Sequence, residues 1–162
     1  MIRLCNALSA ALTALSVVAM LTLAACSGFA PAATTGLPGG LSARMDAPGA
    51  QLDRGSALGL VNAFRSTTGA AALSEDSALT AQAQQLANQY AQSGRPPGAP
   101  SGVRAIKLSA GYHNFADTFS GWRNSPADAP ALLDAGARRA GLAVAFNPTS
   151  AYGVHWVLLL GQ

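Results

Sequence analysis

The last third of this chain limits its fold more than any other stretch. "GLAVAFN", Gly141 to Asn147, has no polar face, and neither does "YGVHWVLLLG", Tyr152 to Gly161. A short apolar run without helical period, bounded by turn residues, is the pattern of a strand covered on both faces. Pro148-Thr149-Ser150 joins the two runs. They are therefore expected to pair as an antiparallel hairpin in the middle of a sheet.

The segments upstream supply the covering layers. Ser56 can cap a first helix with Leu60, Val61 and Phe64 on one face, and Gly69 is placed to end it. Asp76 or Ser77 opens a second helix, in which Leu79, Ala83, Leu86 and Tyr90 form a stripe and Gly94 is the stop. "RPPGAPSG" reads as a loop, and Val103 to Leu108 as a strand. Asn114 caps a third helix with Asp117 at N3 and a buried stripe of Phe115, Phe119 and Trp122. Pro126 and Pro130 reduce the next segment to a turn and a short helical piece around Leu132 and Leu133. Helices first, with strands mixed in and closing the chain, give the α+β class: a three-layer α-β-α sandwich around a mostly antiparallel sheet.

The N-terminus is of another kind. Residues 1–25 carry Arg3 ahead of a run of Ala, Leu and Val, the arrangement of a secretory signal. The run ends in Leu23-Ala24-Ala25-Cys26, which looks like a bacterial lipobox. That resemblance implies cleavage before Cys26 and lipid on its sulfur, the alternatives being an uncleaved anchor or cleavage beyond Ala30. Cys5 would leave with the signal, so no disulfide is expected in the mature chain. Residues 26–54 are dominated by Ala, Gly, Pro, Thr and Ser and read as a flexible tether, leaving 55–162 as the folded domain. The implied location is extracytoplasmic, anchored to a membrane through Cys26, and facing the periplasm from the outer membrane in a Gram-negative cell. The formal charge is +3, with the basic residues scattered and no patch interleaved with aromatics, so nucleic acid is not expected as a partner.

Four pieces, in order, resemble one family. "ALGLVNAFRSTTGAAALSEDSALTAQAQQLANQYA" is similar to the opening of bacterial CAP (SCP-like) domains, with Asn62 and Arg65 in an Asn-x-x-Arg pattern and Leu73, Asp76 and Leu79 in the next element. "GYHNFADTFSGWRNSP" resembles the third-helix signature, and "RRAGLAVAFN" and "VHWVLLLG" the closing strands. The family comprises cysteine-rich secretory, antigen 5 and pathogenesis-related 1 proteins. The resemblance implies a cleft between sheet and helices, which in many members holds two histidines and two acidic residues able to bind a divalent metal.

Position by position, that donor set is depleted here. The first histidine has no counterpart, the strand glutamate falls near Ile106, and the second histidine falls on Asp128. Asp117 is the one acidic position that persists, and its spacing from Asn114 already explains it as a helix-start residue. Asp128 reads as a solvated turn carboxylate. His113 reads as a surface residue. His155 is expected to point away from Trp156 as a hydrogen-bonded core histidine. Ser125, His155 and Asp128 can be drawn as a triad, but nothing places the serine in a nucleophile elbow. Asp117, Asp128 and His155 are thus the candidate cleft residues, with no catalytic residue, metal or cofactor expected. The leading expectation is a non-enzymatic binding module for a lipidic or glycan ligand or an envelope protein. The alternatives are an envelope hydrolase with a rearranged site and a structural envelope component.

Overall fold

In the computed structural model, the described residues are 39–162; the expected signal segment 1–25, Cys26 and the start of the tether lie outside them. The elements run α1 (Arg54–Ser66), β1 (Ser74–Glu75), α2 (Ser77–Ser93), β2 (Ala105–Ala110), α3 (Phe115–Asn124), α4 (Ala129–Leu132), β3 (Arg139–Phe146) and β4 (Val154–Gly161). The sheet order is β1-β3-β4-β2. β1 joins β3 in parallel, while β3–β4 and β4–β2 are antiparallel. The hairpin read from the two apolar runs is therefore central.

β4 alternates strictly between two cores. Val154, Trp156, Leu158 and Leu160 face a large cluster with Val61 of α1, Phe115, Phe119 and Trp122 of α3, and Leu132 of α4. Val157 and Leu159 face Ala83 and Ala87 of α2. One face of the sheet is thus covered by α2 and the other by α1, α3 and α4. Three layers result from the period-2 alternation of a strand with no polar face.

Several local signals behave as read. Asp76 caps α2, its side chain accepting from Leu79 N–H at 2.9 Å, and Gly94 ends the helix with left-handed backbone, φ 66°. Asn114 caps α3 by accepting from Asp117 N–H at 2.9 Å. Other readings need correction. Asp53, not Ser56, caps α1, and Ser56 is the N3 residue that donates to it through N–H (2.9 Å) and hydroxyl (2.7 Å). Leu60 and Phe64 are half-buried, and the innermost stripe is Ala57, Val61 and Arg65. The strand placed at Val103–Leu108 begins two residues later, because its limits are set by pairing with β4 from Ala105↔Leu160 to Ala110↔His155.

The segment read as a tether is not free along its whole length. Leu41 and Met45 are buried in the large core, Ala50 and Leu52 pack on its margin, and Met45 N–H donates to His113 C=O at 2.7 Å. Among the described residues the core thus takes in Leu41 and Met45, ahead of the expected start at Gly55. These apolar residues are spaced without a period, which is why composition alone masks them.

The two residues of the Asn-x-x-Arg pattern are fasteners. Asn62 pairs its side-chain amide with both backbone groups of Leu73, donating to its C=O at 2.9 Å and accepting from its N–H at 2.8 Å. Arg65 is fully buried and donates to the carbonyls of Ala71, Leu132, Asp134 and Ala137 at 2.6–3.2 Å. A planar five-donor guanidinium is the side chain suited to tie four carbonyls at once.

Candidate functional site

The candidate residues fall in three places. Asp117 stands on the exposed side of α3, where its carboxylate accepts from Asn114 Nδ2 at 2.8 Å. It lines a shallow hollow of about 360 Å³ with Tyr112, Ser120, Gly121 and Asn124. Residues 117, 120, 121 and 124 share a helix face by their i, i+3, i+4, i+7 spacing. Tyr112 lies over Gly121, where a Cβ would come within 3.1 Å of its hydroxyl, and the tyrosine is 42% exposed.

Asp128 is not the solvated turn carboxylate expected. It precedes α4 and accepts a hydrogen bond from Lys107 Nζ. Lys107 is on β2, where Ile106 and Leu108 point toward α2. Strand alternation therefore turns Lys107 to the opposite face, under α4, and it is 8% exposed. Burial pushes the Asp128 carboxyl up, but hydrogen bonds from Lys107 and Ser125, together with the Lys107 charge, hold it below the usual carboxylate range. Sequence reasoning passed over Lys107. Its one signal was that the chain's only lysine sits inside an otherwise apolar strand.

His155 lies in the third place. It points away from Trp156 toward α2, as alternation predicts, and is completely buried. The expected hydrogen bond is absent: among the described residues neither ring nitrogen has a partner. Its surroundings explain why. The cross-strand neighbours are Ala110 and Ala145, and the ring meets Tyr90 edge-on at 4.7 Å and Tyr152 at 6.4 Å. Burial is the main cause that lowers the imidazole pKa, with the Gly153 backbone acting in the opposite sense.

The sheet thus separates His155 from Asp128, and Ser125, His155 and Asp128 do not meet. Ile106, where the family's strand glutamate would fall, also faces α2. His113 is half-exposed and lies 3.3 Å from Asp46. Among the described residues no group of three or more His, Cys, Asp or Glu side chains converges as a metal site would require.

The three-layer fold is shared with known proteins. Residues 58–160 match the model of the CAP, or cysteine-rich secretory protein, family, and the chain belongs to that family. It resembles the solved structure of MpPR-1i at 18% identity, covering 68% of this chain and 90% of that one, TM-score 0.53. An SCP-domain extracellular protein from Bacillus anthracis shares 14% identity over 67% of this chain and 40% of its own length, TM-score 0.54. An outer surface protein from Borrelia burgdorferi shares 16% over 68% and 92%, TM-score 0.50. At these identities the likeness is one of fold. Among curated proteins no sequence matches significantly.

Proposed function

We propose that this is a lipid-anchored CAP-domain protein of the cell envelope that works as a non-enzymatic binding module. The observation that carries this reading is the Lys107–Asp128 pair. Where family resemblance leads one to look for a divalent cation beside Asp128, the chain supplies its own ammonium. A carboxylate neutralised by a buried lysine is a poor ligand, because a second cation would have to displace the first. The other oxygen and imidazole donors face elsewhere, so the residues present do not fit such an ion. His155 is closed off from solvent and sits across the sheet, which weighs against its recruitment into a rearranged hydrolase site.

The hollow at Tyr112 supports recognition of a glycan. An exposed aromatic ring beside the Asp117 carboxylate, the Ser120 hydroxyl and the Asn124 amide offers an apolar platform edged by hydrogen-bonding groups. Anchoring rests on Leu23-Ala24-Ala25-Cys26, with the chain extracytoplasmic and, in a Gram-negative cell, on the outer membrane facing the periplasm. Lipid of more than one acyl chain would hold it stably. Among the described residues no helix is long and apolar enough to cross a membrane.

Calorimetric titration with zinc and with calcium tests the central claim. The expected result is no stoichiometric binding; a tight one-to-one complex overturns the reading. Replacement Cys26→Ser is expected to release the protein from membranes, and continued retention would count against lipidation.

A further inference from the structure

The edge of the sheet away from Lys107 carries a row of backbone N–H groups that β1 does not cover. In β3 the bond from Asn147 N–H to Gly153 C=O (2.8 Å) sets which residues face β4: the odd-numbered ones exchange bonds with it. The even-numbered residues Ala140, Leu142, Val144 and Phe146 therefore point their N–H and C=O groups outward. β1 and the residue after it cover only the start of this edge, with Ser74 N–H donating to Arg138 C=O and Asp76 N–H to Ala140 C=O, both at 2.9 Å. Beyond it, two side chains satisfy carbonyls: Arg54 Nε reaches Leu142 C=O and Gln84 Nε2 reaches Val144 C=O, both at 3.0 Å. The N–H groups of Leu142, Val144 and Phe146 find no acceptor among the described residues.

These donors do not lie on a flat edge. Val144 and Phe146 line a groove of about 340 Å³, walled on one side by Met45, Ala47, Pro48 and Ala50 and on the other by Gln84 and Asn88 of α2. No side chain lining it is charged.

We infer that this groove binds an extended, uncharged polypeptide segment, which adds to β3 as a further strand. Donors on alternate residues, about 7 Å apart, match the acceptor spacing of a strand and of no other backbone conformation. The neutral lining rejects charged side chains and suits small or β-branched ones. The recess decides between a peptide and a second copy of the chain. Paired strands lie about 4.8 Å apart, and two copies each holding this edge between the same walls could not approach so closely. A single strand can. The site is at the opposite edge from Lys107 and does not depend on the cation reading, so either can fail alone.

Amide hydrogen exchange measured by NMR on the full chain tests it. The probe is the capped peptide acetyl-Thr-Val-Thr-Val-Thr-Val-Thr-amide at millimolar concentration. The amides of Val144 and Phe146 are expected to exchange freely without peptide and to slow by about tenfold or more with it. The exposed groove residue Ala47 offers a blocking variant: A47W should abolish that protection while leaving thermal unfolding unchanged. An unaltered exchange rate, or protection that survives A47W, overturns the inference. So does protection already present in the free chain, which would mean that the protein covers its own edge or pairs with itself.

Discussion

Lys107 and Asp128 form an ion pair of unequal burial: the lysine side chain is 10% exposed, the aspartate 33%. Removing the carboxylate strands a buried ammonium, whereas replacing the lysine by an apolar chain of similar length removes the group that is costly to desolvate. Asp128→Asn should therefore cost roughly 2–3 kcal/mol, and Lys107→Met clearly less. The folded-state pKa of Asp128 is depressed, so the pair's contribution is present above the ordinary carboxylate range. It is lost as pH falls through the lowered value. Urea unfolding of wild type and D128N should thus converge toward acid pH. A larger loss in K107M than in D128N would contradict the argument.

Among the described residues neither nitrogen of His155 has a partner, and the ring lies against Tyr90. Exchange for phenylalanine keeps an edge-on aromatic contact and removes two unsatisfied polar atoms. His155→Phe should raise unfolding free energy at neutral pH by roughly 1 kcal/mol. The pH dependence has a definite sign. The folded pKa lies below the ordinary value of 6.5, so the unfolded chain takes up the proton first. Stability is full above about pH 6.5 and falls as pH drops through that region. The slope between about pH 7 and 5 should flatten in the variant. An unchanged slope would mean that the imidazole is reached by solvent or a partner.

Legibility in the sequence tracks the range of the forces involved. The central hairpin, the start of α2 at Asp76 or Ser77, the cap at Asn114, the stop at Gly94 and the side on which His155 lies are legible, because each depends on neighbours along the chain. The missed features depend on contacts across it. Ser56 looks like a cap only because it is half of the Asp53–Ser56 pair. The ends of β2 are fixed by β4. Leu41 and Met45 are buried by tertiary packing without any helical or strand period. Lys107 meets a carboxylate 21 residues away, on an element whose position the sequence does not give. Asp117 is legible as a helix-start residue, since its explanation lies three positions back.

Asn62 and Arg65 should behave as structural residues. Asn62→Ala leaves both backbone groups of Leu73 without partners and should cost roughly 2 kcal/mol. Arg65→Lys keeps the charge but cannot reach four carbonyls from one ammonium, and should cost roughly 2–4 kcal/mol. Thermal and urea unfolding would show both losses as changes in midpoint with unaltered cooperativity. If R65K unfolds like wild type, the fork of carbonyls does not anchor the α1 end.

Two glycines give a test with opposite signs. At Gly141 a Cβ would lie 2.1 Å from the carbonyl carbon of Leu79 and 2.3 Å from Thr80 N, so the first turn of α2 rests directly on β3. Both obstacles are backbone and cannot swing away. Gly141→Ala must push the helix off the sheet and should cost about 3 kcal/mol or more. Gly59 lies inside α1, exposed, with nothing within 4 Å of its would-be Cβ. Gly59→Ala should stabilise by about 0.5–1 kcal/mol, because alanine loses less backbone entropy on entering a helix. The pair separates close packing from general sensitivity to substitution. Similar unfolding midpoints for the two variants would mean that α2 does not seat on β3 at Gly141, and with it would fall the packing that encloses His155.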